Sequence, residues 1–189
     1  MPIVIGLGNP GPRYENTRHN AGYDALNLSA AFFQTVLRKR CFRPYKQAKV
    51  DQHLLLFPLT YMNNSGLVCR YVIPRRYTVD QLIVMCDTLD LPAGMIRVRQ
   101  GGSSAGQKGL QSIIDELGSA DFTRIYIGIG RPKENQSVIE HVLGKAQETE
   151  ERRLLQQGIQ AASSALITLL EGATVGEVAG EYNRKNSHS

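Results

Sequence analysis

The stretch VIGLGNPGPRYENTRHNAG, residues 4–22, decides how the rest of the chain is read. It opens inside an apolar run, Ile3 to Ile5, that ends at a glycine, the mark of a buried strand. Gly6, Gly8 and Gly11 then match the dinucleotide fingerprint G-x-G-x-x-G letter for letter. That fingerprint works only when it opens a helix, because the pyrophosphate sits on the helix N-terminus. Here Pro10, Gly11 and Pro12 follow at once, and RYENTRHNAG has no apolar periodicity, so no helix is expected before residue 21. Nor does an acidic residue close a second strand roughly 20 residues further on, where a ribose hydroxyl would be held. The cofactor reading therefore fails. Gly8 and Gly11 are expected instead to turn the backbone and bring Asn9 and His19 to the edge of a sheet.

A chain of 189 residues, 42% of them hydrophobic, is enough for one domain with a sizeable core. No apolar run is long enough to cross a bilayer, so no membrane partner is expected. The N-terminus has neither the basic lead nor the small-residue cleavage site of a signal peptide, and a cytoplasmic protein is expected. Cys41, Cys69 and Cys86 are scattered, with no C-x-x-C and no histidine at ligand spacing. They read as structural thiols, and no metal site is expected. A net charge of +5 favours an acidic partner only mildly. The placement of charge says more. Arg38, Lys39, Arg40, Arg43, Lys46 and Lys49 crowd residues 38–49 with Phe42 and Tyr45 among them, and Arg97, Arg99 and Lys108 flank a glycine-rich stretch. Each cluster is either a solvated face or a nucleic-acid contact.

Along the chain, Leu26, Ala30, Phe33 and Leu37 predict an amphipathic helix over 21–37. HLLLFPL (53–59) and QLIVMCD (81–87) read as strands, the second delivering Asp87 at its carboxyl end. A helix starts near Asn64, with Leu67, Val68, Tyr71 and Val72 on one face and Pro74 near its end. MIRVRQ (95–100) alternates as a half-exposed strand does, and FTRIYIGIG (122–130) alternates again. GLQSIIDELG (109–118) is a short helix closed by glycine, and two more helices fill most of 148–171 and 174–184. The expected architecture is a single-domain α/β fold over residues 1–182, a twisted mixed, mostly parallel sheet flanked by helices. Residues 183–189 are expected to form a disordered tail. In such sheets the ligand lies beyond the carboxyl ends of strands. The polar loops expected there carry Asn9, Tyr14, Arg18, His19 and Asn20; Thr60 to Asn64; Asp87 and Asp90; and GGSSAGQKG.

The segments GLGNPGPRYENTRHNAG, LTYMNNSG, CDTLDLPAG and FTRIYIGIGRP, in this order, resemble the bacterial-type peptidyl-tRNA hydrolases over roughly residues 3–145. The resemblance implies an enzyme that hydrolyses the ester joining a peptide to the terminal ribose of tRNA. It also implies no metal or organic cofactor, peptidyl-tRNA as the partner, and a monomer. On the same ground His19 is the catalytic base, a task suited to imidazole, whose ordinary pKa of about 6.5 leaves it largely neutral at cellular pH. Asp87 matches the carboxylate that orients that base. Asn9 contacts the peptide side, Asn63 supplies an amide for the oxyanion or the water, and Asn64 or Ser65 is left to cap the following helix. Tyr14 and Tyr61 match aromatic positions lining the site for the tRNA 3′ end, and Met62 and Lys108 match substrate-binding positions.

The glycine-rich loop departs from the family. Gln107 and Lys108 stand where a His-Asn pair is usual, and a lysine donates hydrogen bonds but accepts none. Tyr126 stands where a basic residue is common, and Arg124, Arg131 or Lys133 is the candidate replacement charge. These departures keep a second function open, an RNA-binding or splicing-associated module of low activity. A pure binder has no need of a His19–Asp87 pair, which favours the hydrolase.

Overall fold

Strand β1 (Ile3–Gly6) forms from the apolar run before the glycines, and the structure, a computed structural model, describes residues 2–76 and 78–185. In chain order there follow α1 (Ala21–Phe32), β2 (Arg38–Lys39), β3 (Tyr45–Val50), β4 (His53–Pro58), α2 (Cys69–Arg76) and β5 (Leu82–Thr88). Then come β6 (Ile96–Gln100), α3 (Lys108–Leu117), β7 (Thr123–Gly128), α4 (Val138–Leu143), α5 (Thr149–Leu170) and α6 (Val175–Lys185). The strands form one seven-stranded sheet in the order β2-β3-β4-β1-β5-β7-β6. Its centre, β4-β1-β5-β7, is parallel, while β3 and β6 join antiparallel on either side. This is the mixed sheet expected from the alternation of strands and helices.

Side-chain alternation divides the core in two. Val4, Leu55, Ile83, Met85, Ile125 and Ile127 face a cluster that includes Leu26 of α1 and Leu155, Ile159 and Leu166 of α5. Ile3, Ile5, Leu56, Leu82, Val84 and Cys86 point the other way, with Val72 of α2 and Leu110 and Ile113 of α3. Burying one such leucine or isoleucine side chain contributes about 1.5–3 kcal/mol.

Several boundaries differ from expectation for identifiable reasons. Helix α1 stops at Phe32, not at residue 37. Gln34 takes a left-handed conformation (φ 53°), Thr35 N–H donates to Ala30 O, and Gln34 N–H donates to Ala31 O. This is a Schellman stop with glutamine in the position usually held by glycine. Phe33 and Leu37 still pack on the core, although they lie past the helix. Strand β7 is buried along its whole length, because it lies between β5 and β6 and its polar side chains meet the loop that precedes it. Strand β6 alternates buried and exposed, as expected of an edge strand.

The glycine-rich loop does not leave a strand end on the ligand edge. Because β6 is antiparallel, its carboxyl end lies at the opposite edge, and residues 101–107 run back along the sheet toward Asp87. Helix α6 reaches Lys185, so residues 183–185 are helical; 186–189, the rest of the expected tail, lie outside the described residues. Helix α4 and strand β3 had no counterpart in the sequence reading, although Ser137 and Glu140 form a capping box at the start of α4.

Asp24, largely buried in the first turn of α1, has its carboxyl pushed up to about 6 by burial and, secondarily, by the Glu15 carboxylate. A raised folded-state value means that ionisation opposes folding. The stability tied to this group is fully present below the ordinary carboxylate value and is lost as pH rises through about 6. Asp24→Asn is therefore expected to raise stability by about 2–3 kcal/mol near pH 8 and to have little effect near pH 3. Thermal unfolding of both proteins at the two pH values measures this, and an equal shift at both would refute the assignment.

Candidate functional site

The loops after β1, β4 and β5 meet at one edge of the parallel centre, and a cleft of about 800 Å³ opens there. Its lining includes Asn9, Tyr14, His19, Tyr61, Met62, Asn63, Asp87 and Lys108, so every residue expected at the site faces one space.

His19 sits in a 3-10 turn (Arg18–Asn20) that runs directly into α1. Asp87 is set in β5, where the neighbouring strands exclude water and leave its side chain 3% exposed. The His19 Nδ1 atom lies 2.8 Å from Asp87 Oδ2. The other carboxylate oxygen, Oδ1, accepts from Gln107 Nε2 at 2.9 Å. An ionised Asp87 accepts on both oxygens, so the imidazole carries its proton on Nδ1 and keeps Nε2 as a lone pair.

Gln107 has a second task. Its Oε1 accepts from Leu110 N–H at 2.8 Å and thereby caps α3. One amide thus fixes the helix start and the carboxylate together. In sequence Gln107 reads only as a departure, because glutamine is not among the residues favoured at a helix N-cap.

Asn9 is held by its neighbour in space, Asn20. Asn9 N–H donates to Asn20 Oδ1 at 2.8 Å, and Asn20 Nδ2 donates to Asn9 O at 3.0 Å. The Asn9 Oδ1 atom accepts from Met62 N–H at 2.8 Å. Its Nδ2 has no partner among the described residues and remains available to a ligand. This corrects the capping expectation around Asn64. The 3-10 segment Met62–Val68 begins after Tyr61, its first amide is satisfied by Asn9, and the Ser65 hydroxyl is buried without a partner. Neither Asn64 nor Ser65 caps it. Asn63 is exposed and free of protein partners among the described residues.

The glycines also differ in purpose. Gly11 has φ 103°, a left-handed turn as expected. Gly8 is needed for space: a Cβ there would sit 3.0 Å from Asn20 Oδ1, the oxygen that holds Asn9.

The fingerprint's usual anion site is closed as well. Tyr23 N–H, in the first turn of α1, donates to Leu7 O at 2.9 Å. Among the described residues no group of three or more His, Cys, Asp or Glu side chains is arranged to hold a metal.

Arg18 anchors the histidine turn to the C-terminal part of the chain. Its Nε donates to Glu151 at 2.9 Å, its Nη1 to His141 O at 3.1 Å, and its backbone N–H to Gly144 O at 3.1 Å. Arg124 is not a ligand charge. It is fully buried and donates to Ser103 O, Ala120 O and the Tyr126 hydroxyl, holding the glycine-rich loop against β7. Of the other candidates, Arg131 lines the cleft and pairs with Asp90, whereas Lys133 pairs with Glu148. The apolar side of the cleft, Val138, Ile139, Val142 and Leu143 of α4, was not foreseen. Tyr14 and Tyr61 meet edge to face with ring centroids 6.4 Å apart, Tyr61 being well exposed. The arrangement suits addition of water to a carbonyl, with one base, one orienting carboxylate and unpaired amide donors.

Comparison with known proteins agrees. The model of the family described as peptidyl-tRNA hydrolase matches residues 3–189. The chain is 45% identical over 161 residues to the peptidyl-tRNA hydrolase of Coprothermobacter proteolyticus, covering 82% of each. It is 38% identical over 191 residues to that of Lactococcus lactis subsp. cremoris, covering 96% of this chain and 98% of the relative. The crystal structure of an Arg119Gln mutant of peptidyl-tRNA hydrolase from Acinetobacter baumannii superposes with a TM-score of 0.87 at 33% identity. That match covers 97% of this chain and 94% of the other. With the match spanning nearly the whole sequence, the chain belongs to the peptidyl-tRNA hydrolase family.

Proposed function

We propose that this chain hydrolyses the ester between a peptide and the terminal ribose of tRNA, with His19 as the base that activates water. The observation that carries the reading is the His19–Asp87–Gln107 chain of hydrogen bonds at the floor of the cleft. Nε2 of His19 takes a proton from water as its oxygen bonds to the ester carbonyl carbon. Asp87 stabilises the imidazolium that forms, as the carboxylate of a triad does. The negative charge developing on the carbonyl oxygen meets the Asn9 and Asn63 amides, and one such donor is worth on the order of 10²–10³ in rate. Collapse of the tetrahedral intermediate breaks the bond to the ribose oxygen, which leaves with the proton held by His19. The products are a peptide carboxylate and a free tRNA. Tyr14 and Tyr61 present ring faces to the 3′-terminal base, where stacking contributes about 1–3 kcal/mol. Met62 is buried with its sulfur 3.4 Å from Gln107 Nε2, and Lys108, exposed at the first turn of α3, offers a cation to a phosphate or the carbonyl.

The proposed enzyme is a monomer working in the cytoplasm, with α6 inside the functional unit, because Asn183 Oδ1 accepts from Val98 N–H at 2.8 Å and its Nδ2 donates to Val98 O at 2.9 Å. No described helix is long and apolar enough to cross a membrane. The other expectation, an RNA-binding or splicing-associated module of low activity, finds no support in the relatives compared above, which are named for the hydrolase.

Hydrolysis of N-blocked aminoacyl-tRNA tests the assignment. Wild type is expected to be active and His19→Ala to lose on the order of 10²–10⁴ in kcat. An inactive wild type refutes the enzyme, and an unimpaired His19→Ala refutes the base. Gln107→Glu keeps an acceptor for Leu110 N–H but sets a carboxylate against Asp87. Its kcat is expected to fall on the order of 10–100-fold and its Tm to drop as well, since a hydrogen bond to a charged group is worth roughly 1.5–3 kcal/mol. Unchanged kcat would show that Asp87 does not depend on Gln107. Lys108→Asn, the family's usual residue, is expected to keep or raise activity, and a collapse would give the lysine an essential role of its own.

A further inference from the structure

The β2–β3 hairpin carries features that the cleft does not use. Arg38, Lys39, Arg40 and Phe42 are exposed, and residues 38–50 contain no acidic side chain. Lys39 and Lys46 are direct cross-strand partners, a like-charge pairing that weakens a sheet. None of these cations belongs to an ion pair among the described residues. Phe42, at the turn, is fully exposed and has φ 59°, a left-handed conformation that is costly for a bulky side chain. Arg43 is braced over the Tyr71 ring at 5.4 Å.

The turn also lies at the edge of the sheet where the cleft opens. Tyr45 pairs with Pro58, Leu59 N–H donates to Pro44 O, and the chain then enters the cleft at Tyr61. Unpaired cations, a strained exposed aromatic and continuity with the cleft together fit a polyanion with accessible bases. We infer that the β2–β3 hairpin is a second contact for the tRNA part of the substrate, outside the cleft. In it Arg38, Lys39, Arg40 and Arg43 hold backbone phosphates, and Phe42 stacks on an unpaired base. The inference rests on the reading of the cleft as a peptidyl-tRNA ester site.

The test compares wild type, an Arg38→Ser/Lys39→Ser/Arg40→Ser triple variant and Phe42→Gly. Affinity for deacylated tRNA is measured against salt. Hydrolysis is measured with full-length N-blocked aminoacyl-tRNA and with the same ester on a short 3′-terminal oligonucleotide. In the triple variant the slope of log affinity against log salt is expected to drop by about 2–3, with KM for the full-length substrate raised and kcat held. Phe42→Gly is expected to weaken tRNA binding about fivefold or more while Tm stays level or rises, since glycine relieves the left-handed strain. The oligonucleotide ester is expected to react equally well with all three proteins. Unchanged tRNA affinity and salt slope would overturn the inference and leave a solvated face or a surface for another kind of partner. Equal loss on the oligonucleotide ester would also overturn it, by showing that the hairpin acts through the cleft. Should wild type hydrolyse neither ester, the proposed function falls, and the tRNA-binding comparison still decides the hairpin.

Discussion

A buried carboxylate must have its lone pairs met, and Asp87 is the carboxylate around which this molecule is organised. Its side chain is almost completely removed from water, and leaving such a group unpaired would cost several kcal/mol. Two donors from distant parts of the chain satisfy it: His19 Nδ1 before α1 and Gln107 Nε2 before α3. Each donor is in turn placed by a backbone requirement. Gln107 must also cap Leu110 N–H, and His19 sits in a turn tied by Arg18 to α4 and α5. The site geometry is therefore a consequence of satisfying buried polar groups, and the free imidazole Nε2 and Asn9 Nδ2 are the groups that this accounting leaves over.

The parts of the fold that read directly from the sequence are those where local pattern and tertiary use coincide. QLIVMC is buried on both faces and is a central parallel strand; MIRVRQ alternates and is an edge. Where the two diverge, pattern misleads. The spacing of Phe33 and Leu37 continues the helical period because both side chains pack on the core, yet the backbone has already turned at Gln34. Residue type hides that stop, since glutamine is an uncommon left-handed residue. Strand β7 alternates in polarity but not in burial, because the partners of Arg124 are carbonyls of the loop and strand approach that precede it. No local signal can announce a guanidinium whose acceptors lie in another segment.

The candidate site shows the same division. Asn9, His19, Asn63 and Asp87 were legible from their positions after strands, and the structure brings them to one cleft. Gln107 reads in sequence only as a departure and Asn20 only as one polar residue of its loop, and nothing announces the α4 wall. Asn20 acts on backbone atoms of Asn9 and has no chemistry of its own to advertise. Gln107 replaces an imidazole by an amide, a change that looks like loss in one dimension and keeps a donor to Asp87 in three. An amide also does not titrate near neutrality, so the donor persists across the pH range in which an imidazole would change charge.

The glycine fingerprint can now be explained by where amide N–H groups go. In a dinucleotide fold the first turn of the helix keeps its N–H groups for a pyrophosphate. Here the Pro-Gly-Pro insertion delays α1, and Tyr23 N–H is taken by the Leu7 carbonyl. The room that Gly8 leaves is filled by the Asn20 side chain. That side chain fixes the Asn9 backbone, the Asn9 oxygen fixes Met62 N–H, and the Asn9 amide nitrogen is left facing outward as the donor. The same strand-turn-helix frame thus replaces a row of backbone donors aimed at a phosphate with one side-chain donor set beside a histidine. What distinguishes the two uses is the length of chain between glycine and helix, which is long enough here to carry the base itself.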